Sequence, residues 1–355
     1  MLFGPRQCGK STLVESLLSG KEYLYLNGDD ADVRDALSNT SSTKLEALAG
    51  KNTIVFIDEA QRIPGVGLAL KIFTDRLKHI QAIATGSSAF ELSSQVNEPL
   101  TGRKYEFMLY PLSFGEMVEY HGLLKEKGLI EHRMIFGYYP EIVTKPGEEK
   151  ELVKLLAESY LYKDLLMLEQ LKKPALLEKL LKALALQVGS EVNYTEVAQI
   201  IGANKQTVER YIDLLEKAYV IFVLPTLSRN VRNEIKKGKK IYFYDCGIRN
   251  AVINNFKPLA SRTDAGALWG NFVIAERVKL LRYKNADAGL YFWRTTQQQE
   301  IDLIEEYEDG FSAFEFKWGN INKVRFPQTF TDNYAGAKTR VVSPANVEEF
   351  LLENK

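Results

Sequence analysis

The sequence contains few of the residues that build disulfide frameworks or zinc clusters. It holds two cysteines and three histidines among 355 residues. Two cysteines are too few for a multi-bridge disulfide scaffold or for a cysteine-rich zinc site. The histidines, His79, His121 and His132, lie too far apart along the chain to indicate a histidine metal cluster. The disulfide-scaffold and zinc-cluster classes are therefore excluded.

The chain also lacks net charge and long apolar runs. Lysine plus arginine and aspartate plus glutamate balance at 46 each, so no global basic field indicates nucleic acid, and any such surface must be local. No apolar run approaches the ~18 residues of a transmembrane helix. The start, MLFGPRQCGK, lacks the long apolar core of a signal peptide. We therefore expect a cytoplasmic protein without a membrane-spanning segment.

What the chain does have is a globular composition, with 45% hydrophobic residues, and enough length for two or three domains. Strand candidates at residues 23–26, 53–57 and 81–84 alternate with helical patterns, which predicts parallel βαβ units. Pro146 and Gly147 mark the end of this region. A nearly all-helical stretch follows, and a strand-rich pattern begins after it. We predict domains at residues 1–147, 148–245 and 246–355.

The first motif is a phosphate-binding loop of the Walker A type. Residues 4–11, GPRQCGKS, match the P-loop pattern G-x-x-x-x-G-K-[ST] in full. The glycines let the backbone N–H groups face phosphates, the lysine can reach the β- and γ-phosphates, and the serine hydroxyl can bind Mg²⁺. The helix that follows adds its N-terminal dipole. The alternative is a chance glycine-rich turn. The predicted nucleotide contacts are Gly4, Pro5, Arg6, Gln7, Cys8, Gly9, Lys10, Ser11 and Thr12.

Only Met1, Leu2 and Phe3 precede this loop. Three residues of extended chain cover at most about 10 Å. We therefore expect a frayed or shortened strand and a loosely held loop. Either the start lies too late in the natural chain, or nucleotide binding is weak.

A second motif supplies acids. The apolar run IVFI ends in Asp58 and Glu59, which a parallel sheet would place at the carboxyl end of the strand, where ligands bind. Asp58 suits the coordination shell of Mg²⁺, and Glu59 suits the polarisation of an attacking water. The alternative is an ordinary strand followed by a solvated acidic turn.

A third strand, QAIATGSS, ends in hydroxyl side chains, and Thr85, Ser87 or Ser88 could sense a γ-phosphate. A simple polar turn is an equal alternative for any one of them. Arg103, in LTGR, could supply a cation to the γ-phosphate, including from a neighbouring copy, or it could be a surface arginine.

Several segments together resemble a known family: GPRQCGKST, FIDEAQRIP, ATGSSAFEL, LTGRKYEFMLYPLSF, GYYPEIV, DCGIRN and EIDLI. The chain resembles a bacterial and archaeal family of AAA-type ATPases with a C-terminal domain of unassigned function and a restriction-endonuclease-like fold. The resemblance covers nearly the whole chain. It implies an α/β protein with a P-loop, AAA-type parallel-sheet ATPase domain and a small α/β restriction-endonuclease-like domain.

Between these domains, two short amphipathic segments flank Gly202 and predict a helix-turn-helix. Asn193, followed by Glu196, fits a capping box for the first helix. The stretch SRNVRNEIKKGKK, between strand-like VIFVLP and KIYFYD, predicts a basic β-wing, and hence a winged helix. The expected DNA contacts are Asn204, Lys205, Gln206, Arg210, Arg229, Arg232, Lys236, Lys237, Lys239 and Lys240. The alternative is a spacer or protein-contact module, which the nearby acids Glu209 and Asp213 favour.

The final region holds carboxylates in the order D…E-x-K, as in restriction-endonuclease-like nucleases. Asp302 and Glu315, on neighbouring predicted strands, can share a divalent metal, and Lys317 lies on the same strand face as Glu315. Glu276, on the preceding predicted helix at residues 271–283, resembles that fold's additional metal-binding acid. Glu300 is a competing ligand. The alternative is a set of strands whose acids only face water.

Three functional hypotheses follow. In the first, the protein is an ATP-binding, Mg²⁺-dependent ATPase coupled to DNA, with metal-dependent DNA cleavage left open, and ATP gates the domain arrangement or a homo-oligomer. In the second, it is an ATP-controlled DNA- or protein-binding switch with a silent nuclease fold. The third is a small-molecule phosphotransferase. The adjacent acids Asp58 and Glu59 argue against it, because water activation suits hydrolysis better than transfer.

Overall fold

The computed structural model describes residues 1–87, 102, 104–159, 174–228, 238–319 and 324–352. Its contacts divide the chain into two compact units, Met1–Pro111 with Lys217–Tyr219, and Leu112–Glu216 with Val220–Lys355. The first unit therefore ends earlier than the turn at residues 146–147. The reason is packing, because helices between residues 112 and 157 contact a helix that begins at Cys246. Among the described residues, no helix is both long and apolar enough to cross a membrane.

The first unit is a five-stranded parallel sheet with helices on both faces. Its strand order is β2-β3-β4-β1-β5, and every pairing is parallel. The bounds of its described elements are β1 Leu2–Phe3, α1 Lys10–Leu17, β2 Leu24–Asn27, α2 Ala31–Ser38, α3 Ser42–Ala49, β3 Ile54–Asp58, α4 Val66–Asp75, β4 Gln81–Gly86 and β5 Phe107–Met108.

Strand β3 forms the centre of the core, and its sequence explains why. The run IVFI is apolar at successive positions, which is typical of a parallel strand covered on both faces. Phe56 packs with Val14 of α1 on one face, whereas Val55 and Ile57 pack with α2, α3 and α4 on the other. All three β3 residues are fully buried. The strand ends at Asp58, so its acid emerges at the carboxyl edge of the sheet.

Strand β1 is as short as the sequence predicted, but it is paired on both sides. Leu2 and Phe3 pair with β4 and also with β5. Phe107 N donates to Met1 O at 2.9 Å, and Leu109 N donates to Phe3 O at 2.8 Å. Two residues of strand therefore suffice to fix the start of the loop that follows.

The second unit begins with helices and ends with a mixed sheet. Its described elements are α5 Phe114–His121, α6 Leu123–Gly128, α7 Ile130–Phe136, α8 Pro140–Thr144, α9 Glu149–Ala157, α10 Pro174–Leu186, β6 Glu191–Val192, α11 Tyr194–Ile201, α12 Lys205–Lys217, β7 Ile221–Pro225, β8 Lys239–Phe243, α13 Cys246–Val252, α14 Ala265–Tyr283, β9 Gly289–Arg294, β10 Glu300–Tyr307, β11 Gly310–Phe316, α15 Gln328–Asn333, β12 Lys338–Val342 and α16 Val347–Leu351.

Two sheets are joined within this unit. Strands β6, β8 and β7 form an antiparallel sheet in that order, and β9, β10 and β11 form an antiparallel meander to which β12 adds in parallel. An isolated bridge links Thr226 to Phe292, and Leu227 N donates to Phe292 O at 2.7 Å. The sheet of β6, β8 and β7 is thus linked to β9 through the segment that follows β7.

Helices α11 and α12 form around the turn that the sequence predicted. The side chain of Asn193 caps α11 by accepting from Thr195 N and Glu196 N, at 2.9 and 3.4 Å. Gly202 ends the helix with a left-handed φ of 72°. The cap relieves N–H groups that the helix leaves without partners.

Side chains of the motif DCGIRN form buried hydrogen bonds with the backbone. Asp245 caps α13 through Ile248 N and also accepts from Tyr138 N at 2.7 Å. Asn250 donates to Met134 O and Ile135 O. These contacts satisfy polar groups inside the unit, which explains the motif without a ligand.

A second buried cluster adjoins α13. Arg249 and Arg262, both almost fully buried, donate to the carboxylate of Asp264 at 2.6–2.8 Å. Arg249 also donates to Ala185 O at 2.8 Å. One carboxylate therefore compensates two buried guanidinium groups.

Candidate nucleotide site and carboxylate recess

The loop between β1 and α1 curves around the side chain of Lys10. Lys10 is 5% exposed, and its Nζ donates to Gly4 O at 3.0 Å and to Pro5 O at 2.8 Å. Gly9 adopts a left-handed φ of 96° at the N-terminus of α1, and no side chain caps that terminus. Uncapped N–H groups at a helix N-terminus attract anions, and they fit a phosphate here.

The loop is anchored at both ends, against our expectation of a loosely held one. A Cβ on Gly4 would lie 2.0 Å from Leu109 O, so only glycine permits this approach. Cys8 Sγ donates to Leu109 O at 3.4 Å, and burial raises the pKa of this thiol. The Cys8 side chain therefore packs within the loop.

The Asp58 carboxylate accepts hydrogen bonds from side chains on one helix and two strands. Oδ1 accepts from Ser11 Oγ at 2.9 Å and also from Thr85 Oγ1, and Oδ2 accepts from Tyr25 Oη at 3.2 Å. Strand β4 lies between β1 and β3, which brings Thr85 beside Asp58. Ser11 and Asp58 together offer the oxygen ligands that Mg²⁺ prefers.

Glu59 occupies a constrained backbone position. Its φ of 50° and ψ of 42° are left-handed, which is uncommon for a residue other than glycine. Its N–H donates to Asp58 Oδ1 at 3.1 Å and to Thr85 Oγ1 at 3.3 Å. A Cβ on Gly28 would lie 2.4 Å from Glu59 O, so glycine is required there as well. The Glu59 carboxylate accepts a hydrogen bond from Gln61 Nε2.

Sequence reasoning missed two residues of this site. Tyr25 and Gln61 contact the two acids, but a tyrosine in a strand and a glutamine after an acid pair carry no motif. Burial, together with the nearby Asp58 carboxylate, raises the pKa of Tyr25 to about 12, so its hydroxyl keeps the proton that it donates. Of the predicted γ-phosphate contacts, Ser87 directly follows β4 and is partly buried, whereas Ser88 and Arg103 lie outside the described residues.

In the second unit, Asp302 and Glu315 lie on adjacent antiparallel strands. The register pairs Leu303 with Phe314, which places the two acids across from one another. Phe316 N donates to Asp302 Oδ2 at 2.9 Å, and Lys317 Nζ donates to Glu315 Oε2 at 2.7 Å. Burial, with the Asp302 charge adding to it, raises the pKa of Glu315. Burial, the largest single effect, lowers the pKa of Lys317, but the hydrogen bond to Glu315 and the charges of Glu315, Asp302 and Glu300 together raise that pKa above its usual value.

Glu276 does not join this pair, contrary to the sequence prediction. It is 4% exposed and accepts from Lys279 Nζ and from Phe114 N, both at 2.7 Å. Gly266, Gly270 and Ile274 of α14 line a recess that contains Asp302, and Glu276 is not among its lining residues. Among the described residues, no group of three or more His, Cys, Asp and Glu side chains is placed to share a metal ion.

Glu300 is also engaged elsewhere. It pairs with Lys240 and lies 3.6 Å from Arg294 Nε. Lys240 is 2% exposed and stands 5.2 Å from the ring centroid of Phe292, so it cannot be the DNA contact that the sequence predicted. Strand alternation turns Lys240 inward and leaves Lys239 partly exposed.

A recess of about 420 Å³ opens beside the carboxylate pair. Asp302, Lys317 and Trp318 line one side of it, and Gly266 and Gly270 of α14 line another. The recess lies within the second unit.

The other predicted DNA contacts divide into two groups. Lys205, Gln206 and Arg210 are exposed on α12, and Asn204 is exposed directly before its first residue. Asn204 Oδ1 accepts from Thr207 N at 2.8 Å and so caps the helix, and Lys205 pairs with Glu209 at 3.4 Å. Arg229, Arg232, Lys236 and Lys237 lie outside the described residues.

Comparison with protein families divides the chain into three matched regions. Residues 1–118 match the model of an AAA domain. Residues 127–259 match a domain of unknown function (DUF8612), and residues 265–351 match another (DUF4143). The N-terminal match agrees with the parallel sheet and phosphate loop described above. These descriptions assign no nuclease activity.

Similar proteins come from bacteria and archaea. An uncharacterized protein of Mycobacterium tuberculosis is 29% identical over 325 residues, covering 89% of this chain and 69% of that protein. One from Haemophilus influenzae is 24% identical over 278 residues, covering 71% and 68%. The crystal structure of Cdc6p from Pyrobaculum aerophilum aligns at 13% identity with a TM-score of 0.29, covering 72% of this chain and 88% of that chain.

Proposed function

We propose that the protein is a Mg²⁺-dependent ATPase whose nucleotide state controls a DNA-directed second unit. The observation that carries the ATPase proposal is the convergence of Lys10, Ser11 and Asp58 at one edge of the sheet, with Ser11 Oγ 2.9 Å from Asp58 Oδ1. The match of residues 1–118 to an AAA domain supports the same conclusion.

The residues fit ATP and its metal ion. Lys10 would turn from the loop carbonyls to the β- and γ-phosphates, and the uncapped N–H groups of α1 would hold phosphate oxygens. Ser11 and Asp58 would hold Mg²⁺, which neutralises charge on the β- and γ-phosphate oxygens when it is bound. Glu59 would take a proton from the attacking water, after its carboxylate leaves Gln61.

Release of inorganic phosphate from ATP tests this proposal. The wild-type chain should release phosphate in Mg²⁺ and not in EDTA, and Glu59→Gln should remove the activity. Glu15→Gln, a change at an exposed acid of α1, is the control and should hydrolyse ATP normally. Transfer of the γ-phosphate to a small acceptor, without phosphate release, would instead favour a phosphotransferase.

A second proposed activity is metal-dependent cleavage of a phosphodiester at Asp302, Glu315 and Lys317. The cross-strand acids and the lysine beside them support it, as does the helix-strand-strand-strand-helix-strand order of α14, β9, β10, β11, α15 and β12. Mg²⁺ commonly binds proteins through one or two carboxylates and keeps several waters, so two acids fit it. Bound metal would activate water for attack on phosphorus. Lys317 would stabilise charge on the phosphate.

The region of α11, α12, β7 and β8 supports a DNA-binding proposal. The order helix, strand, helix, helix and hairpin from α10 to β8 fits a winged helix, with Lys205, Gln206 and Arg210 exposed on its second short helix. The alternative is a DNA- or protein-binding switch without cleavage. Supercoiled DNA incubated with Mg²⁺ or Mn²⁺ separates the two proposals. Cleavage that Glu315→Ala abolishes supports the nuclease, and no cleavage supports the switch.

A further inference from the structure

Two glycines leave free space in the wall of the recess beside Asp302. Gly266 and Gly270 lie on the face of α14 that borders it. A Cβ added at either glycine would meet no atom within 4 Å, so neither glycine serves tight packing. Glycine also weakens a helix interior relative to alanine. These two positions keep the space beside Asp302 and Lys317 open.

An aromatic ring stands next to the charged groups in this recess. Trp318 follows Lys317 directly and is partly exposed, and its ring centroid lies 5.5 Å from that of the fully buried Trp269. Trp269 thus supports Trp318 from behind. Lys317 is 41% exposed at its side chain, and its ammonium can donate to a phosphate oxygen while it holds Glu315. A flat apolar ring beside a cation and a carboxylate pair matches the base and phosphate of a nucleotide.

The size of the recess favours a single unpaired nucleotide over a duplex. A volume of about 420 Å³ lies in the range of sites for single small molecules. A base that stays paired and stacked in a duplex cannot enter a recess of that size, so a duplex would lie across its opening. Proteins that act on one nucleotide inside a pocket take it out of the stack or bind a single strand.

We propose that the recess binds one unpaired nucleotide of a DNA strand, with its base against Trp318 and its phosphate against Lys317, beside Asp302. This inference rests on the proposed phosphodiester chemistry of the second unit. It specifies the substrate as single-stranded DNA or DNA with unpaired ends.

Fluorescence anisotropy of a labelled oligonucleotide tests the binding in EDTA, where metal-dependent cleavage is absent. The full chain should bind a single strand at least about tenfold more tightly than a blunt duplex of the same sequence. Trp318→Ala should weaken single-strand binding about 5- to 150-fold, the effect of losing one base-stacking contact. Trp318→Phe should retain most of the affinity. Gly270→Leu should weaken binding comparably to Trp318→Ala, because its side chain fills the recess.

Tyr120→Ala is the matched control, since Tyr120 is an aromatic residue that is 81% exposed and is not part of the recess lining. It should bind the single strand as the wild type does. Equal affinity for duplex and single strand, or unchanged binding in both Trp318→Ala and Gly270→Leu, would overturn the inference. A cleavage assay in Mn²⁺ separates the two proposals. Tight binding that depends on the recess, without cleavage, would contradict only the proposed nuclease activity. Cleavage that is unchanged in Trp318→Ala would contradict only the proposed nucleotide binding in the recess.

Discussion

Ser11 Oγ donates to Asp58 Oδ1 at 2.9 Å, although the two residues stand 47 positions apart in the chain. The contact joins the start of α1 to the end of β3 and places two oxygen ligands at one point. Tyr25 and Thr85 donate to the same carboxylate, so its orientation is fixed before any ligand arrives. The carboxylate of Asp58 is therefore already in position for a metal ion, and it supplies the negative charge that attracts the ion.

Replacing Asp58 by asparagine should therefore weaken Mg²⁺ binding. The amide would present an NH₂ group to surrounding donors and would lack the negative charge. We expect the Mg²⁺ concentration for half-maximal ATPase activity to rise by at least about tenfold, corresponding to 1.4 kcal/mol or more. Titration of phosphate release with Mg²⁺ measures it. Asp35→Asn, at an exposed position of α2, should leave the titration unchanged. An unaltered Mg²⁺ dependence in Asp58→Asn would remove this residue from the metal site.

Tyr25→Phe tests the outer partner of that carboxylate. The variant loses only the hydroxyl that donates to Asp58 Oδ2 and keeps the ring that packs 5.4 Å from Phe56. Loss of such a partner typically costs about 10- to 100-fold in metal affinity or activity. We expect the Mg²⁺ requirement to rise toward the lower end of that range. Tyr23→Phe, with the same chemical change just before β2, is the control. Identical Mg²⁺ curves for the two variants would contradict the role of Tyr25.

Glu59→Gln should separate binding from hydrolysis. The substitution keeps the size of the side chain, and its amide cannot accept the proton of water. Loss of a general base commonly lowers the rate about 10²- to 10⁴-fold. ATP affinity should stay within about threefold of the wild-type value, because Lys10 and the loop remain. Phosphate release and ATP binding of the Glu59→Gln chain should be measured in parallel. Hydrolysis at the wild-type rate would show that Glu59 is not the general base.

Asp264→Asn should destabilise the second unit. Removing the charge leaves Arg249 and Arg262 buried without their carboxylate, which typically costs about 3–5 kcal/mol. Urea unfolding followed by tryptophan fluorescence suits this test, because Trp269, Trp293 and Trp318 all lie in the second unit. Asp332→Asn, at an exposed position of α15, is the control and should unfold as the wild type does.

The effect of Asp264 should also depend on pH. Hydrogen bonds from Arg262, and then from Arg249, hold the pKa of Asp264 below its usual 3.8. Because the folded-state pKa is depressed, the stabilisation is present above pH 3.8 and is lost as pH falls below it toward the folded-state pKa. The stability gap between wild type and Asp264→Asn should therefore narrow progressively as pH falls below about 4. A gap that widens on acidification would contradict the pairing.

Local patterns predicted the elements better than the contacts between them. The strand predicted at residues 53–57 lies at Ile54–Asp58, because a short continuous apolar run is typical of a buried parallel strand. Helix α14 was predicted from residue 271 but begins at Ala265. Its first turns carry Gly266 and Gly270, which lower helix propensity and hide the start.

Side-chain direction was the harder part of the site. Helix α14 is buried around most of its circumference, so periodicity could not tell whether Glu276 faced the carboxylates. Lys240 belongs to a basic run, but its partner Glu300 lies 60 residues away, and no local pattern predicts that contact. The contact of Tyr25 with Asp58 was not predicted either, because the two residues are distant in sequence. The phosphate loop was found because all its parts are local.

The central claim is that Lys10 and its loop bind ATP, and isothermal titration with a slowly hydrolysed ATP analogue in Mg²⁺ tests it most directly. Lys10→Ala should weaken binding about 10- to 150-fold, the usual effect of losing one or more hydrogen bonds to a charged group. Lys21→Ala, which removes an exposed lysine after the end of α1, should bind as the wild type does. If the Lys10→Ala chain stays folded and binds the analogue as tightly as the wild type, this loop is not the nucleotide site.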